Sequence, residues 1–524
     1  MSESELNKDK ILKKLQNALK LSGFNVRREL CNNVIEELCK SKVNLTEKNT
    51  FEDFITNLST SLENQCSVGQ SIEKEHISKA VEIYLNSGFD RSESAFSVIK
   101  AFDFPKFYYD PDRKLYLLSK KKAQLLSEAS TKPWIFIERY QTISQKTHRV
   151  FLKTSSMSDG HRFKLQTVDF LLTSSNISLE KTLILGSVLQ VSEGKYYLED
   201  PTGIVQLDLS HAKFEGGFFV ENSFVLVNGL YEDRILTVST MIMPPGEDYQ
   251  ESRPSFANLN YFGGSSRIPL KDSNNLKEYA AKRPDNILLF FSDVWLDHPL
   301  IFDKLEILFD GFQRDPPVAF VFLGNFISEL HGSERIDNLK KCFKQLGDLI
   351  SRYPTLLDNS QFVFVPGLTD PSTPYIVPRL PLPSYVTEDL MKTVPKAVFT
   401  TNPCRIQYCH REITVFRADL LHKMLQGTLS KPKRENVSDY ITRTVISQAH
   451  LTPMSLNSQP VHWDFDYTLR LHPLPDLVVI GDKSESYRGT HKGCTVVNPG
   501  PFCENGFEFI SYVPYTNEVE SCAL

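Results

Sequence analysis

The sequence predicts a multidomain α+β protein: an N-terminal helical bundle, a five-stranded barrel and a two-sheet α/β domain. Three observations carry this. Apolar residues recur at helical spacing through 1–86, five short strand-like runs separated by turns fill 181–240, and apolar runs alternate with amphipathic stretches through 285–524. A chain of 524 residues has the length for about three to four domains. Its 41% apolar and 23% charged residues are ordinary for a globular chain, and 35 Phe fit large packed cores or interfaces better than disorder. A formal net charge of −5 gives no overall attraction to nucleic acid or anionic membrane. The nine cysteines are scattered, with no Cys-x-x-Cys pair, and the start lacks a secretory h-region; reduced thiols in the cytosol or nucleus are the simplest reading. The longest apolar runs, near Ile287–Phe291 and Val318–Leu323, fall far short of the roughly 18–20 residues of a membrane span.

Residues 1–86 read as short amphipathic helices. Ile11, Leu12, Leu15 and Leu19 share one face, as do Phe51, Phe54, Ile55 and Leu58, the latter group opened by a capping box at Thr50 and Asp53. Val34, Ile35 and Leu38 mark another helix, and Ile77, Val81, Tyr84 and Leu85 a further one. No Gly-x-x-x-x-Gly-Lys-Ser/Thr occurs, so nucleotide hydrolysis has no support. Residues 87–165 form a mixed connector: an aromatic extended run Ala101–Tyr109, a solvated Lys120-Lys121-Lys122 face, a helix around Trp134–Ile143 and a polar loop near Thr154–Gly160.

A barrel domain is expected over 166–250. Thr182–Val191, Tyr196–Glu199, Ile204–Leu209, Phe218–Gly229 and Ile235–Val238 are the strand candidates. Their number and length fit a Greek-key barrel of the oligonucleotide/oligosaccharide-binding (OB) type. Such barrels can bind single strands through aromatic platforms in a basic groove, and Tyr196, Tyr197, Phe219 and Tyr231 could supply faces. Charge weighs against that use. Residues 181–240 hold four Lys/Arg against eight Asp/Glu, a net −4, which favours core or protein-interface roles for the aromatics.

After a Pro-containing linker near Pro244–Pro254, residues 285–524 alternate strands and helices. Ile287–Ser292, a helix from about Pro299 to Phe312, Val318–Leu323, a helix through Ile336–Tyr353 and Phe362–Val365 imply a parallel sheet. Lys396–Arg417 reads as a hairpin bent at Pro403, and Leu477–Ile480, Thr495–Val497 and Phe507–Tyr512 as a second run of strands. Sites in such sheets lie at the carboxyl ends of strands. There the chain reads Ser292-Asp293-Val294-Trp295, Gly324-Asn325, Pro366-Gly367-Leu368-Thr369-Asp370 and Gly481-Asp482-Lys483-Ser484, with Ala449-His450 closing a helical stretch. These positions resemble those of calcineurin-like phosphoesterases, which would carry Asp-x-His, Gly-Asp, Gly-Asn-His-Asp/Glu, Gly-His-x-His and Gly-His. Their chemistry clamps an in-line displacement between two cations about 3.5–4 Å apart. Trp295 replaces a His, Asn325 the bridging Asp, Leu368 and Thr369 an Asn and its His, and Asp482 and Ser484 the last His pair. A neutral amide cannot offset two divalent cations, and Trp has no acceptor. The expectation is therefore no catalytic residues, no bound metal and no cofactor, with Asp370 shaping a turn. His450 could join Asp293 and Asp482 around a residual ion; a buried His bonded to a carboxylate is the favoured role. Cys404 and Cys409 could be half a zinc site, but without a second pair reduced thiols are favoured.

Three further segments carry a wider resemblance: Phe290–Asp297, Tyr197–Asp208 and Phe399–Cys409, joined by Gln145–Arg149, Gln448–Pro453 and Asn498-Pro499-Gly500. Together they resemble the B-subunit family of replicative DNA polymerases, in its epsilon branch, strongly from about Ala101 onward. The resemblance implies an inactive phosphoesterase domain packed on the barrel, the two holding the C-terminal zinc module of the polymerase epsilon catalytic subunit. It also implies a helical domain like the lid of AAA+ ATPases that tethers the polymerase to the GINS part of the CMG replicative helicase. Histone-fold subunits would be met indirectly, DNA only through the complex and membranes not at all. A nuclear scaffold for DNA replication is thus expected. The alternatives are a metal-dependent phosphoesterase or 3'-5' nuclease with an altered site, and a single-strand DNA-binding barrel.

Overall fold

The computed structural model describes residues 95–524 apart from 158–163, 175–176, 179–181, 267, 329–333, 373–374, 434, 436 and 505, and before them only 12–17, 19–20, 30–31, 34 and 58. The chain forms two compact units, Met1–Ser94 and Ala95–Leu524. In the first, Leu12, Leu15, Leu19, Val34 and Leu58 are buried, with 12–17 helical. The remaining expected helices, including the Thr50–Asp53 capping box, lie outside the described residues.

Two six-stranded sheets stack in the second unit. The first runs in the order Ala397–Phe399, Gln361–Val365, Ala319–Leu323, Leu288–Ser292, Glu508–Val513, Glu518–Ala523. Its first four strands are parallel and the last two antiparallel. The second runs Phe96–Lys100, Cys404–Tyr408, Arg411–Arg417, Leu477–Gly481, Cys494–Asn498, Tyr487–His491. Side chains alternate across each strand. Leu288, Phe290, Val321, Leu323, Val363 and Val365 therefore meet Ile406, Ile413, Val415, Leu477 and Val479 between the sheets. Leu289, Phe291, Phe320, Phe322, Phe362 and Phe364 face outward onto the helices Ile301–Phe312, Arg335–Ile350 and Ser384–Thr393. Strands buried on both faces read as unbroken apolar runs, which is why they were legible. The phenylalanines form a ladder across them: ring centroids are 5.1 Å apart for Phe320–Phe362, 5.4 Å for Phe322–Phe364 and 4.8 Å for Phe364–Phe399. On the outer face of the second sheet, Phe416, Val478, Ile480 and Val496 pack against Leu420, Met424, Ile441 and Val445 of the helices Leu420–Gly427 and Val437–Ser447.

The barrel has five main strands: Thr182–Ser192, Lys195–Asp200, Gly203–Asp208, Phe224–Glu232 and Ile235–Ile242. Thr182–Ser192 pairs with both the second and the fourth, and Gly203–Asp208 pairs in parallel with Ile235–Ile242, so the sheet closes. Phe219 and Tyr231 are buried in its core and Tyr196 packs partly against it. Gly229 marks the bulge between the fourth and fifth strands, where a Cβ would lie 2.1 Å from the Thr237 carbonyl.

Three local expectations change. The fourth barrel strand starts at Phe224, because Phe218–Ser223 turns into the α/β domain. There Phe218 N–H donates to Thr444 Oγ1 at 2.8 Å and Phe219 N–H to Thr428 Oγ1 at 3.1 Å. Lys396–Arg417 is not one hairpin. Ala397–Phe399 pairs in parallel with Gln361–Val365 in the first sheet, and the chain crosses at Asn402-Pro403 to the second, whose hairpin turns at Cys409-His410. Proline marked a change of sheet, which depends on tertiary pairing that no local signal encodes. The helix around Trp134 extends over Thr131–Met157, so 154–157 are helical and not loop. Phe96–Lys100, from the connector, is an edge strand on Cys404–Tyr408.

Long-range polar contacts fasten barrel and long helix to the α/β domain. The Gln448 side chain brackets the Phe224 backbone, its Nε2 donating to the carbonyl at 2.7 Å and its Oε1 accepting from the N–H at 2.9 Å. Lys146 Nζ donates to the Ser447 carbonyl at the end of the helix Val437–Ser447. Arg139 grips Asp466 with two hydrogen bonds, of 2.5 and 3.1 Å.

Candidate functional site

The strand-end residues form three hydrogen-bonded groups, the first two of them adjacent through Arg417 and Gly481. The first centres on Asp293, fully buried and with φ of 50°, a left-handed conformation that Asp tolerates better than most residues. Its Oδ1 accepts from Asn325 N–H at 3.1 Å and from Asn325 Nδ2 at 3.0 Å. Both its oxygens accept from Arg417 Nη2, at 2.8 and 2.9 Å. Asn325 Oδ1 in turn accepts from Thr369 N–H at 2.8 Å.

Arg417 ends the strand Arg411–Arg417, and sequence reasoning missed it. Its Nε donates to the Gly324 carbonyl at 2.7 Å, and its Nη1 to Asp419 Oδ1 at 2.7 Å and the Gly481 carbonyl at 3.1 Å. Burial opposes its charge, but Asp293 and Asp419 outweigh that and hold the guanidinium protonated well beyond its ordinary range. A signal existed: an arginine closing the apolar run Ile413-Thr414-Val415-Phe416, two residues before an Asp, requires a buried partner.

Trp295 is half-buried beside Asp293, its backbone N–H donating to the Asp293 backbone carbonyl at 3.0 Å. With Asn325, Thr369, Lys483, Pro501 and Glu504 it lines a shallow cleft of about 170 Å³. Leu368 and Thr369 are half-buried, and the Thr369 carbonyl accepts from Arg335. Asp370 is turned inward, accepting from Phe326 N–H at 2.9 Å and Gly367 N–H at 2.7 Å, with burial pushing its carboxyl pKa up. The loops can close this tightly because Gly324 lacks a side chain; a Cβ there would lie 2.0 Å from Asp370 Oδ2.

Asp482 forms the second cluster. Its Oδ2 accepts from Leu420 and Leu421 N–H at 2.6 and 2.9 Å, satisfying the first turn of the helix Leu420–Gly427, and its Oδ1 accepts from Ser484 N–H at 2.9 Å. Ser484 Oγ and its carbonyl accept from Asn498 Nδ2, both at 3.2 Å. His450 belongs to the third. Its Nδ1 accepts from Thr452 N–H at 3.1 Å, and its Nε2 lies 3.4 Å from Asp466 Oδ2 without hydrogen-bond geometry. Burial, with Arg139 close by, lowers its pKa despite Asp466. Asp293, Asp482 and His450 share none of these hydrogen-bond partners. Among the described residues no three His, Cys, Asp or Glu side chains converge as a metal site. Cys404 and Cys409 are free and buried, their thiols pushed up to about 12 and about 11 by burial.

The comparisons with known proteins follow the barrel and the two-sheet domain. A family model for the B subunit of DNA polymerases alpha and epsilon matches residues 288–489, and one described as DNA polymerase epsilon subunit 2-like, OB-fold domain, matches 129–245. DNA polymerase epsilon subunit 2 of Homo sapiens is 38% identical over 518 residues, 97% of each chain. The Drosophila melanogaster protein of that name is 35% identical, over 98% of this chain and 97% of its own. The DNA polymerase epsilon B subunit from Arabidopsis thaliana is 34% identical, over 83% and 84%. Among solved structures, a novel archaeal phosphodiesterase aligns at 12% identity and TM-score 0.26, covering 45% of this chain and 99% of its own. A dimetal phosphatase from Danio rerio aligns at 12% and 0.25, covering 44% and 93%.

Proposed function

Because this chain belongs to the B-subunit family of DNA polymerase epsilon, we propose that it is the non-catalytic accessory subunit that holds the polymerase's catalytic subunit and ties it to the replicative helicase. The observation that carries the reading is similarity to DNA polymerase epsilon subunit 2 along 97% of both chains. The barrel and the long helix, fastened to the two-sheet domain through Gln448 and Thr444 and through Lys146 and Arg139 respectively, act with it as one rigid platform for the C-terminal zinc module of the catalytic subunit. The N-terminal helices of 1–86 serve as the tether to GINS in the CMG helicase, histone-fold subunits are met indirectly, and DNA is met only through the complex, in the nucleus. Among the described residues no helix is long and apolar enough to cross a membrane.

No hydrolytic step is assigned to the chain. A divalent cation at Asp293 would meet the Arg417 guanidinium and the Asn325 Nδ2 donors, both positive toward it. The residues present do not fit the two-cation clamp of a phosphoesterase or nuclease. The net −4 of residues 181–240 speaks against the single-strand-binding alternative.

Co-expression with the C-terminal module of the catalytic subunit tests the assignment. The full chain is expected to co-elute with that module as a stoichiometric complex at physiological salt. A chain lacking 1–86 should keep the complex and lose GINS in a pull-down. Loss of the polymerase complex with retention of GINS would reverse the division of labour.

A further inference from the structure

We propose that Arg417 is a tethered cation in the place of a metal, joining the carboxyl ends of the two sheets with a guanidinium where the phosphoesterase frame would use divalent ions. Its three nitrogens donate to five acceptor atoms, so no nitrogen of the group is left without a partner. The acceptors come from both sheets. Asp293 follows the strand Leu288–Ser292 and Gly324 follows Ala319–Leu323 in the first; Gly481 ends Leu477–Gly481 and Asp419 follows Arg411–Arg417 in the second.

The path of the side chain is shaped for this. Arg417 and Asp293 side chains are both 0% exposed, so those two charges are compensated in place and not by water, while Asp419, 23% exposed, keeps one edge in solvent. A Cβ on Gly481 would lie 2.8 Å from Arg417 Cδ and 2.6 Å from Ser292 Oγ, so only glycine lets the stem pass between the strand ends. Asn325 turns its Nδ2 donor toward Asp293 and its Oδ1 away toward Thr369, the orientation that suits a carboxylate already committed to a guanidinium. Two carboxylates and two carbonyls around one cation are an oxygen set that a hard divalent ion would also accept once the guanidinium is gone. The consequence is a fold indifferent to divalent ions, and a latent cation site in variants that lose Arg417.

Thermal melts of the full chain in EDTA, Mg²⁺ and Mn²⁺ test this. The native protein is expected to melt at one temperature in all three. Arg417→Ala should melt lower by about 5 °C or more in EDTA, because two carboxylates are left without their cation, and Mn²⁺ should restore part of the loss. A native protein that melts higher with Mn²⁺ and lower with EDTA would overturn the proposal. So would an Arg417→Ala variant as stable as the native chain, or one that Mn²⁺ does not raise. Should Arg417→Ala not fold, Arg417→Lys and Arg417→Met decide. Lys keeps a cation and is expected to fold and melt above Met; a Lys variant no better than Met overturns the proposal. Binding of the catalytic-subunit module, read separately, is unaffected by either outcome.

Discussion

Arg139→Ala is expected to destabilise the protein by about 3–5 kcal/mol, the cost of leaving a buried carboxylate without its cation. The side chains of Arg139 and Asp466 are 6% and 10% exposed, and the pair is bidentate. Burial raises the pKa of the Asp466 carboxyl, but the Arg139 guanidinium outweighs it, so the group is held well below the usual carboxylate range. Because the pair joins the helix Thr131–Met157 to the turn Trp463–Leu469, its loss should also loosen the long helix. The urea midpoint of the variant and hydrogen exchange along residues 131–152 check this. An unchanged midpoint would mean that the pair is not a fastening.

Acid is expected to destabilise the fold as pH falls below about 6.5. His450 and His472 are buried and neutral, their pKa values lowered chiefly by burial. Below about pH 6.5 the unfolded chain takes up protons that the folded chain resists, so each histidine removes stability until pH falls through its own lowered folded value. Glu412 works the other way. Burial pushes its carboxyl up to about 7, so the folded chain gains stability as pH falls from about 7 toward the unfolded value near 4.5. His410, lowered to about 4, and the lowered His462 and His491 add to the histidine loss, while Asp370 and Glu199, raised like Glu412, oppose it; the histidines outnumber the carboxyls, so the net change is a loss. Lys146, lowered to about 7 by burial, titrates above this window. The urea midpoint should therefore be lower at pH 5.5 than at pH 7; a flat or rising midpoint would contradict the assignment of neutral buried histidines.

What the sequence revealed and what it hid divide along physical lines. Strands such as Leu288–Ser292 and Gln361–Val365 were legible because burial on both faces leaves an apolar run with no polar register. The five barrel strands were legible because turn residues punctuate them. The guanidinium at Asp293 was not, since its carboxylate lies 124 residues away, and neither was the Gln448 bracket, 224 residues from Phe224. Reading the strand ends as ligand positions singled out Asp293, Asp482 and His450, but not that Asp482 satisfies a helix end or that the carboxylate His450 faces is Asp466. Those roles depend on which loops meet, and partner identity across such distances leaves no local trace.

The claim that the strand ends hold the fold together and do no chemistry is tested most directly by assaying the purified full chain, with Mn²⁺ and with Mg²⁺, on a phosphodiester substrate and on single-stranded DNA. The account predicts hydrolysis no greater than that of an Asp293→Asn variant of matched purity. Metal-dependent turnover in the native chain that disappears in Asp293→Asn would contradict it.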